Sequence, residues 1–249
     1  MSLLLGTPQG DPHVGNYTPE QVAKVIDHAV LKPFQTDQDV VDNAAMCVAR
    51  GVGNFCVRPT DAPLAVEKTA GTGTTIAVVV GFPHGHNRPE VKALEARLAV
   101  EDGADELDMV MNIGKFLSGD YALVERDIAG VVEAAHPKAI VKVILETSYL
   151  SDEQIAKACQ IAQAAGADMV KTSTGFFVSG GPTDAEGSKA TPHTIQIMLD
   201  TVGDRMGVKA SGGVRDWATA TAYLDQGCAR LGVGSTEKVL DGGAAESDY

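Results

Sequence analysis

The stretch Gly166-Ala-Asp-Met-Val-Lys-Thr-Ser-Thr-Gly175 contains a turn, a short apolar strand and a second, polar turn. It places Lys171 at the end of the strand, among apolar neighbours. Burying a charged amine is costly, so such a position favours the neutral form. A neutral amine attacks carbonyl carbon atoms, which is the first step of Schiff-base catalysis. Lys171 is therefore the leading candidate for a catalytic nucleophile.

The Gly-Ala-Asp that opens this stretch also occurs at Gly103, and in both places it joins a helical pattern to a strand. Short β-branched runs alternate with longer amphipathic runs along the whole chain. Strands are predicted at Asp27–Leu31, Gly53–Val57, Thr75–Val80, Glu106–Met111, Ile140–Leu145, Asp168–Thr172, Gly207–Ala210 and Ala229–Gly232. Helices are predicted at Asp37–Arg50, Arg88–Asp102, Tyr121–Ala135, Asp152–Ala165, Pro192–Val202 and Asp216–Gln226.

Eight alternating strand and helix units in 249 residues are typical of a (β/α)8 TIM barrel, an α/β fold. A doubly wound open sheet is the alternative. We expect one domain over residues 1–249, with a mobile, acidic tail from about residue 241. In a barrel, the carboxyl ends of the strands form the active-site face.

The barrel prediction brings two further strand lysines towards Lys171. Lys142 and Lys209 lie in the predicted fifth and seventh strands, which neighbour the sixth. A nearby positive charge lowers the pKa of an amine, so Lys209 is expected to keep Lys171 neutral. The alternative is that each lysine extends its ammonium group into water. Asp108, also within a strand, can transfer protons beside the lysines or form a purely structural ion pair with them.

Glycines at the ends of the last two predicted strands indicate a phosphate site. Gly212 and Gly213 follow the seventh strand, and Gly234, Ser235 and Thr236 follow the eighth. Barrels commonly bind phosphate with these two loops and the start of a short helix. Each glycine cluster is equally typical of a tight turn, and only their joint position favours phosphate.

The composition excludes several classes of partner. A net charge of −13 disfavours nucleic acids and anionic membranes, so an anionic substrate needs a local positive site. No segment approaches the ~20 apolar residues of a membrane span, and the first residues lack a basic region followed by a long apolar run, so we expect no signal peptide. The four cysteines show no pairing pattern, which is typical of a reduced, cytoplasmic protein. They are Cys47, Cys56, Cys159 and Cys228.

Histidines offer a different interpretation. His84 and His86 follow the third predicted strand, and His28 lies in the first, so a divalent cation is conceivable there. They match no established ligand motif, and the lysine ammonium groups would repel a cation. We therefore expect neither a metal nor another cofactor. A metal-dependent enzyme would lose its activity to a chelator.

Several motifs resemble those of the deoxyribose-phosphate aldolase family, and the resemblance runs in unbroken order from about Ile26 to Ser235. The motifs are Ile26-Asp-His28, Leu31-Lys-Pro33, Phe55-Cys-Val-Arg-Pro59, Val80-Gly-Phe-Pro83, Gly103-Ala-Asp-Glu-Leu-Asp108, Val141-Lys-Val-Ile-Leu-Glu-Thr147, Gly166–Phe176 and Val208-Lys-Ala-Ser-Gly-Gly213. The resemblance implies a metal-independent class I aldolase on a (β/α)8 barrel. Such an enzyme reversibly cleaves 2-deoxy-D-ribose 5-phosphate to D-glyceraldehyde 3-phosphate and acetaldehyde.

The resemblance also implies roles for individual residues. Lys171 would form the imine, Lys209 would lower its pKa, and Asp108 would relay protons. Lys142 and Asp27 would line the same site. The implied phosphate ligands are the backbone groups around Gly175, Gly212, Gly213, Gly234 and Ser235. A homodimer is expected from the resemblance alone.

Three features remain open in this interpretation. Ala29 stands where the family often has threonine, and Gly234 stands where many members have serine, so these differences are expected to affect the rate and the phosphate affinity more than the type of reaction. The terminal Tyr249 is expected to assist protonation of the enamine, or else to have no role. The remaining alternatives are another Schiff-base lyase acting on a phosphosugar and a non-catalytic phosphosugar-binding barrel.

Overall fold

The computed structural model describes residues 16–183 and 188–245, and its centre is a closed barrel of parallel strands. The strands pair in sequence order, and the eighth closes onto the first. This closure excludes the open sheet. The strands are β1 (Ile26–Val30), β2 (Asn54–Val57), β3 (Thr75–Val80), β4 (Glu106–Val110), β5 (Ile140–Ile144), β6 (Met169–Lys171), β7 (Gly207–Ser211) and β8 (Arg230–Val233).

Helices surround the barrel and connect consecutive strands. They are α1 (Pro19–Lys24), α2 (Asp37–Arg50), α3 (Ala62–Thr69), α4 (Pro89–Glu101), α5 (Ile113–Leu117), α6 (Tyr121–Ala135), α7 (Asp152–Ala164), α8 (Pro192–Val202), α9 (Trp217–Gln226) and α10 (Thr236–Leu240). Several begin at the polar residues that favour helix starts: Thr36, Ser151 and Thr191 each form a capping box. The predicted (β/α)8 fold is confirmed, with every predicted strand present.

The repeated Gly-Ala-Asp has a defined role in joining helices to strands. Its glycines, Gly103 and Gly166, have φ values of +101° and +86°, which favour residues without a β-carbon. Its aspartates reach the preceding strand. An oxygen of Asp105 accepts a 2.9 Å hydrogen bond from the backbone N–H of Ile76, and Asp168 accepts one of 2.7 Å from Val141. Each loop therefore fixes the level at which its strand enters the barrel.

The barrel interior is divided by polarity. Strands β4 to β8 point charged side chains inwards, together with Asp27 of β1. The inner face of β1 to β3 is otherwise apolar towards the active-site end, where Phe82 and Phe176 pack against it. This apolar group consists of Ala29, Leu31, Cys56, Ala77 and Val79. A ligand entering the barrel therefore has charged groups on one side and apolar groups on the other.

The last described residues lie against the barrel. The backbone N–H of Ala245 donates a 2.9 Å hydrogen bond to the carbonyl of Arg215, and Ala244 bridges to Asp216. Tyr249 lies outside the described residues. Over the described ranges, none of the helices combines the length and the apolar character that crossing a bilayer requires.

Candidate active site

The three strand lysines meet inside the barrel. Lys171 of β6 pairs in register with Lys209 of β7, and Lys142 lies on β5, the other neighbour of β6. All three are 2% exposed or less, so none of them extends its ammonium group into water. Strand alternation points each of these side chains inwards, because residues two apart share one face of a strand.

Asp108 is the carboxylate that links the lysines. Its Oδ2 atom accepts hydrogen bonds of 2.8 Å from Lys171 Nζ and 2.7 Å from Lys209 Nζ. Its Oδ1 atom lies 3.0 Å from Lys142 Nζ. Burial alone would raise the pKa of this carboxyl, but the lysines outweigh burial and hold the pKa well below its usual value. Asp108 is therefore ionised.

Asp27 occupies the opposite side of the same cluster. Its Oδ2 atom accepts hydrogen bonds from Lys142, at 2.7 Å, and from Lys209. Burial raises the pKa of Asp27, while Lys142 and Lys209 lower it by more, so the net pKa is lowered. Lys142 gains from the same contacts, because Asp108 and Asp27 together overcome burial and raise its pKa well above the usual value.

Two further members of the cluster escaped the sequence analysis. Arg230 of β8 donates hydrogen bonds of 2.6 Å to Asp27 Oδ1 and to Glu106 Oε1. Glu106 also contacts Lys142. A signal for Arg230 existed in the sequence, because a strand covering Ala229–Gly232 must point either this arginine or its apolar neighbours into the barrel.

The cluster contains more positive than negative groups. Four cations, Lys142, Lys171, Lys209 and Arg230, face three carboxylates, Asp27, Glu106 and Asp108. Among the described residues, Lys142 contacts all three carboxylates, whereas Lys209 and Arg230 contact two each. Lys171 contacts one. Lys171 is therefore the cation of the cluster with the fewest carboxylate contacts. Loss of one proton would leave three positive and three negative groups in the cluster.

The pKa of Lys171 differs from the sequence-based expectation. Burial lowers it, but the carboxylate of Asp108 and its hydrogen bond outweigh burial and the repulsion from Lys142, so the net pKa is raised. The expectation that a neighbouring lysine would hold Lys171 neutral is not met in this structure. The neighbouring strands could be inferred from the sequence, whereas the direct 2.8 Å contact with Asp108 could not. The amine must lose a proton before it can attack a carbonyl group.

Another buried carboxylate, outside the lysine cluster, organises the loop after β6. Glu146 accepts hydrogen bonds from the backbone N–H of Thr174, at 3.1 Å, and from the Thr174 hydroxyl. It also accepts one of 2.6 Å from Ser188 Oγ, and Ser188 Oγ in turn accepts one of 2.9 Å from the N–H of Gly175. Burial raises the pKa of Glu146 in spite of these hydrogen bonds. Glu146 is part of the motif Val141–Thr147, but no strand or helix periodicity indicates which way a loop side chain points, so its role could not be predicted.

The predicted phosphate ligands surround the same loop. Gly212 and Gly213 have φ values of +77° and +84°, so both lie in a region that favours glycine. A β-carbon on Gly212 would lie 2.3 Å from the carbonyl oxygen of Ser188, which excludes any larger residue without rearrangement. Ser211 of β7 pairs in register with Gly232 of β8. The residues that follow these strands, Gly212 and Gly213 after β7 and Gly234 and Ser235 after β8, therefore lie at about the same height in the barrel. Gly175 is linked to this group through Ser188.

The histidines do not assemble. The ring of His28 is buried and contacts Asn43 at 2.7 Å and Thr236 at 2.8 Å, and burial lowers its pKa to about 4. His84 and His86 stack on each other, with their ring centres 5.6 Å apart. In the part of the chain that the structure describes, no three histidine, cysteine or acidic side chains are placed to hold a metal ion.

A closed eight-stranded barrel with a buried lysine at the active-site end of a strand is typical of enzymes that act through a lysine amine. A comparison with family models matches residues 21–227 to the DeoC/LacD family of aldolases. The chain belongs to this family, and it is an aldolase.

Individual relatives cover nearly the whole chain. The deoxyribose-phosphate aldolase of Clostridium perfringens strain 13 is 43% identical over 230 residues, which are 92% of this chain and 99% of the relative. That of Thermococcus gammatolerans is 45% identical over 224 residues, covering 89% and 96%. Among solved structures, the deoxyribose-phosphate aldolase from Aeropyrum pernix, described as a unique tetramer, has a TM-score of 0.80 at 32% identity, covering 90% of this chain and 91% of its own.

Proposed function

We propose that this chain cleaves 2-deoxy-D-ribose 5-phosphate reversibly to D-glyceraldehyde 3-phosphate and acetaldehyde through an imine on Lys171. The reaction is supported by relatives named deoxyribose-phosphate aldolase, which are 43% and 44% identical to this chain over 92% of its length. The observation that carries the mechanism is the contact pattern of the cluster. Among the described residues, Lys171 has one carboxylate partner where each of the other cations of the cluster has at least two, so it gives up the fewest ion-pair contacts when it reacts.

Imine formation begins when the neutral amine of Lys171 attacks C1 of the open-chain sugar. The carbonyl oxygen takes up two protons in the course of this step and leaves as water, and a protonated imine remains. Asp108 Oδ2 is the acceptor of the hydrogen bond from Lys171, and it also accepts one from Lys209. We infer that Asp108 passes the protons of this step between the two amines and the substrate oxygen.

Cleavage then breaks the C2–C3 bond. The electron pair of that bond moves into the protonated imine, which becomes the enamine of acetaldehyde, while the C3 hydroxyl loses its proton and becomes the aldehyde of glyceraldehyde 3-phosphate. A proton is returned to C2, and water releases acetaldehyde and restores the amine. Lys142 and Asp27 line the same site, and their contacts with Asp108 and Lys209 hold both groups in place.

The phosphate is proposed to bind at the glycine turns after β6, β7 and β8. Backbone N–H groups can approach an anion closely where glycine leaves no β-carbon in the way. The ligands would be Gly175, Gly212, Gly213, Gly234 and Ser235. The N–H of Gly175 donates to Ser188 Oγ in the structure, so the phosphate would compete with that hydroxyl or share the donor.

A product assay tests the proposed reaction. Purified protein is incubated with 2-deoxyribose 5-phosphate, and both aldehydes are measured with separate coupling enzymes. Equal amounts of acetaldehyde and glyceraldehyde 3-phosphate are expected, and the Lys171→Met variant should form neither. Cleavage of a different phosphosugar would instead indicate another Schiff-base lyase. A folded protein that binds the sugar phosphate without cleaving it would be the non-catalytic barrel.

Three smaller points complete the proposal. We propose that Tyr249 assists protonation of the enamine, so its deletion should slow hydrogen exchange on acetaldehyde.

We propose a homodimer, which light scattering can distinguish from a tetramer such as the Aeropyrum relative. A cytoplasmic location is proposed because all four cysteines are free and buried.

A further inference from the structure

The segment that returns from β6 to α8 lies along the end of β7. The backbone N–H of Ala190 donates to the carbonyl oxygens of Ser211, at 3.1 Å, and Gly212, at 2.9 Å. Ser188 and Ala190 are buried, while Lys189 between them is exposed. Two buried neighbours hold the backbone on either side of Lys189, so the start of its side chain has a fixed position.

That position is directly beside the glycine pair. A β-carbon on Gly213 would lie 3.4 Å from the β-carbon of Lys189, and one on Gly212 would lie 2.8 Å from the α-carbon of Lys189. The glycine turn therefore leaves room for Lys189, and the lysine side chain begins at the surface where the proposed phosphate would lie.

Lys189 also has the charge that this site needs. The four cations inside the barrel are all paired with carboxylates. Within the described ranges, Lys189 forms no ion pair or hydrogen bond. The net charge of the chain is −13, so an anionic substrate requires a local positive group to offset the overall field. Gly234 adds no hydroxyl donor, which increases the need for another ligand.

We propose that Lys189 binds the phosphate group of the substrate, and that Glu146, acting through Ser188, positions it. This inference rests on the proposed function and adds to it a charged ligand for the phosphate. A lysine ammonium group adds a full positive charge to its hydrogen bond with a phosphate oxygen, whereas a backbone N–H is a neutral donor.

Glu146 is suited to the positioning role because it joins both sides of the site. One oxygen accepts from Ser188 Oγ, next to Lys189, and the other accepts from Thr174, next to Gly175. Glu146 has φ 55°, and in the part of the chain that the structure describes it is the one residue other than glycine with positive φ. Backbone strain of this kind persists where surrounding contacts hold it, and it is concentrated at functional sites.

The test compares two lysine variants that remove the same charge. Lys189→Met should raise KM for 2-deoxyribose 5-phosphate by about 10- to 100-fold, the range of a charge-assisted hydrogen bond. It should leave kcat/KM for 2-deoxyribose, which lacks the phosphate, close to that of the unchanged protein. Lys138→Met is the matched control, because Lys138 is also exposed but precedes β5, at the opposite end of the barrel. Lys189→Arg should recover most of the lost affinity.

Positioning by Glu146 has its own readout. Ser188→Ala cuts the link between Glu146 and the segment that holds Lys189, so it should raise KM for the phosphorylated sugar and leave 2-deoxyribose unaffected. Equal losses with both sugars would show that Ser188 and Glu146 merely support the fold, and would overturn their positioning role.

The binding role of Lys189 is overturned if Lys189→Met and Lys138→Met behave alike. Failure of the proposed function is recognised separately, by the absence of borohydride trapping of acetaldehyde on Lys171. Trapping that persists in Lys189→Met with an unchanged KM for the sugar phosphate would reject the lysine and leave the aldolase proposal intact.

Discussion

Lys171 differs from the other cations of the barrel cluster in having a single carboxylate partner among the described residues, and its pKa depends on neighbours of opposite charge. Asp108 raises the pKa, and the positive charge of Lys142 lowers it. Lys209 lies in register on the next strand and shares the Asp108 oxygen with Lys171, so its positive charge is also expected to oppose protonation of Lys171. Catalysis needs both effects, since the amine must be neutral to attack and the imine must be protonated to accept electrons. The charges around Lys171 must therefore allow both the neutral amine and the protonated imine.

The pH midpoint of imine formation is expected to shift in opposite directions when Asp108 and Lys209 are each replaced by a neutral residue. Asp108→Asn removes the group that raises the pKa of Lys171, so the pH midpoint of imine formation with acetaldehyde should move to lower pH. Lys209→Met removes a repelling cation, so the midpoint should move to higher pH. Borohydride trapping measured across pH gives both midpoints, with circular dichroism confirming that each variant is folded. Shifts in the same direction would contradict the proposed electrostatics.

Glu146, Arg230 and Lys189 show what a sequence leaves undecided at the scale of residues. The strand lysines could be found because alternation fixes their direction. Glu146 and Lys189 lie in loops, where no periodicity indicates which way a side chain points. The raised pKa of Lys171 was missed for a related reason, because it depends on a contact between residues 63 positions apart.

Helices α4 and α6 pack through a buried ion pair. Lys92 Nζ lies 2.6 Å from Asp127 Oδ2 and also donates to the carbonyl of Val110, at 2.8 Å. Both side chains are fully buried. A β-carbon on Gly81 would lie 2.8 Å from the Lys92 side chain, so the glycine makes room for it. The pair connects the two helices to the end of β4.

Replacing one partner of this ion pair should lower the free energy of unfolding more than replacing both partners with apolar residues. Asp127→Ala leaves a buried ammonium group without its counter-ion, and we expect a loss of about 3–5 kcal/mol in the free energy of unfolding. The double variant Lys92→Met, Asp127→Leu should lose much less. Urea unfolding measures both, and a double variant as unstable as the single one would contradict the assignment.

The turn after β7 contains Gly212, whose role can be tested against Gly119, a glycine with nearly the same φ outside the proposed site. Gly212 and Gly119 have φ values of +77° and +78°, so the backbone conformation alone should cost alanine about 1–2 kcal/mol at either position. At Gly212 the contact with Ser188 adds a further loss of stability. The surroundings differ, because a β-carbon at Gly212 meets Ser188 whereas one at Gly119 meets nothing within 4 Å. Gly212→Ala should therefore also raise KM for the sugar phosphate. Steady-state kinetics would contradict this prediction if Gly119→Ala had the same effect.

At the scale of the whole molecule, the sequence was sufficient for the architecture. Alternating runs gave the order and approximate bounds of β1 to β8, because a barrel repeats one simple pattern eight times. Helix α3 was missed, since Pro59 and Pro63 surround its start and proline is typical of turns. The apolar group on β1 to β3 was also missed, because it forms only when three strands are brought together.

The division of the barrel into charged and apolar sides fits the proposed reaction. In the proposed reaction, the charged side would supply the amine and its proton-transfer partners, and the apolar side would keep water away from the enamine. Ala29, which replaces the hydroxyl residue expected from the family pattern, belongs to this apolar side. The substitution therefore extends an existing surface and leaves the lysine cluster unchanged.

The most direct test of this account is mass spectrometry after borohydride reduction in the presence of acetaldehyde. Reduction of an imine fixes the aldehyde as an ethyl group on the amine that formed it. The account predicts one adduct, located on Lys171 and absent from Lys171→Met. No adduct on a folded protein, or an adduct located on Lys142 or Lys209 instead, would contradict it.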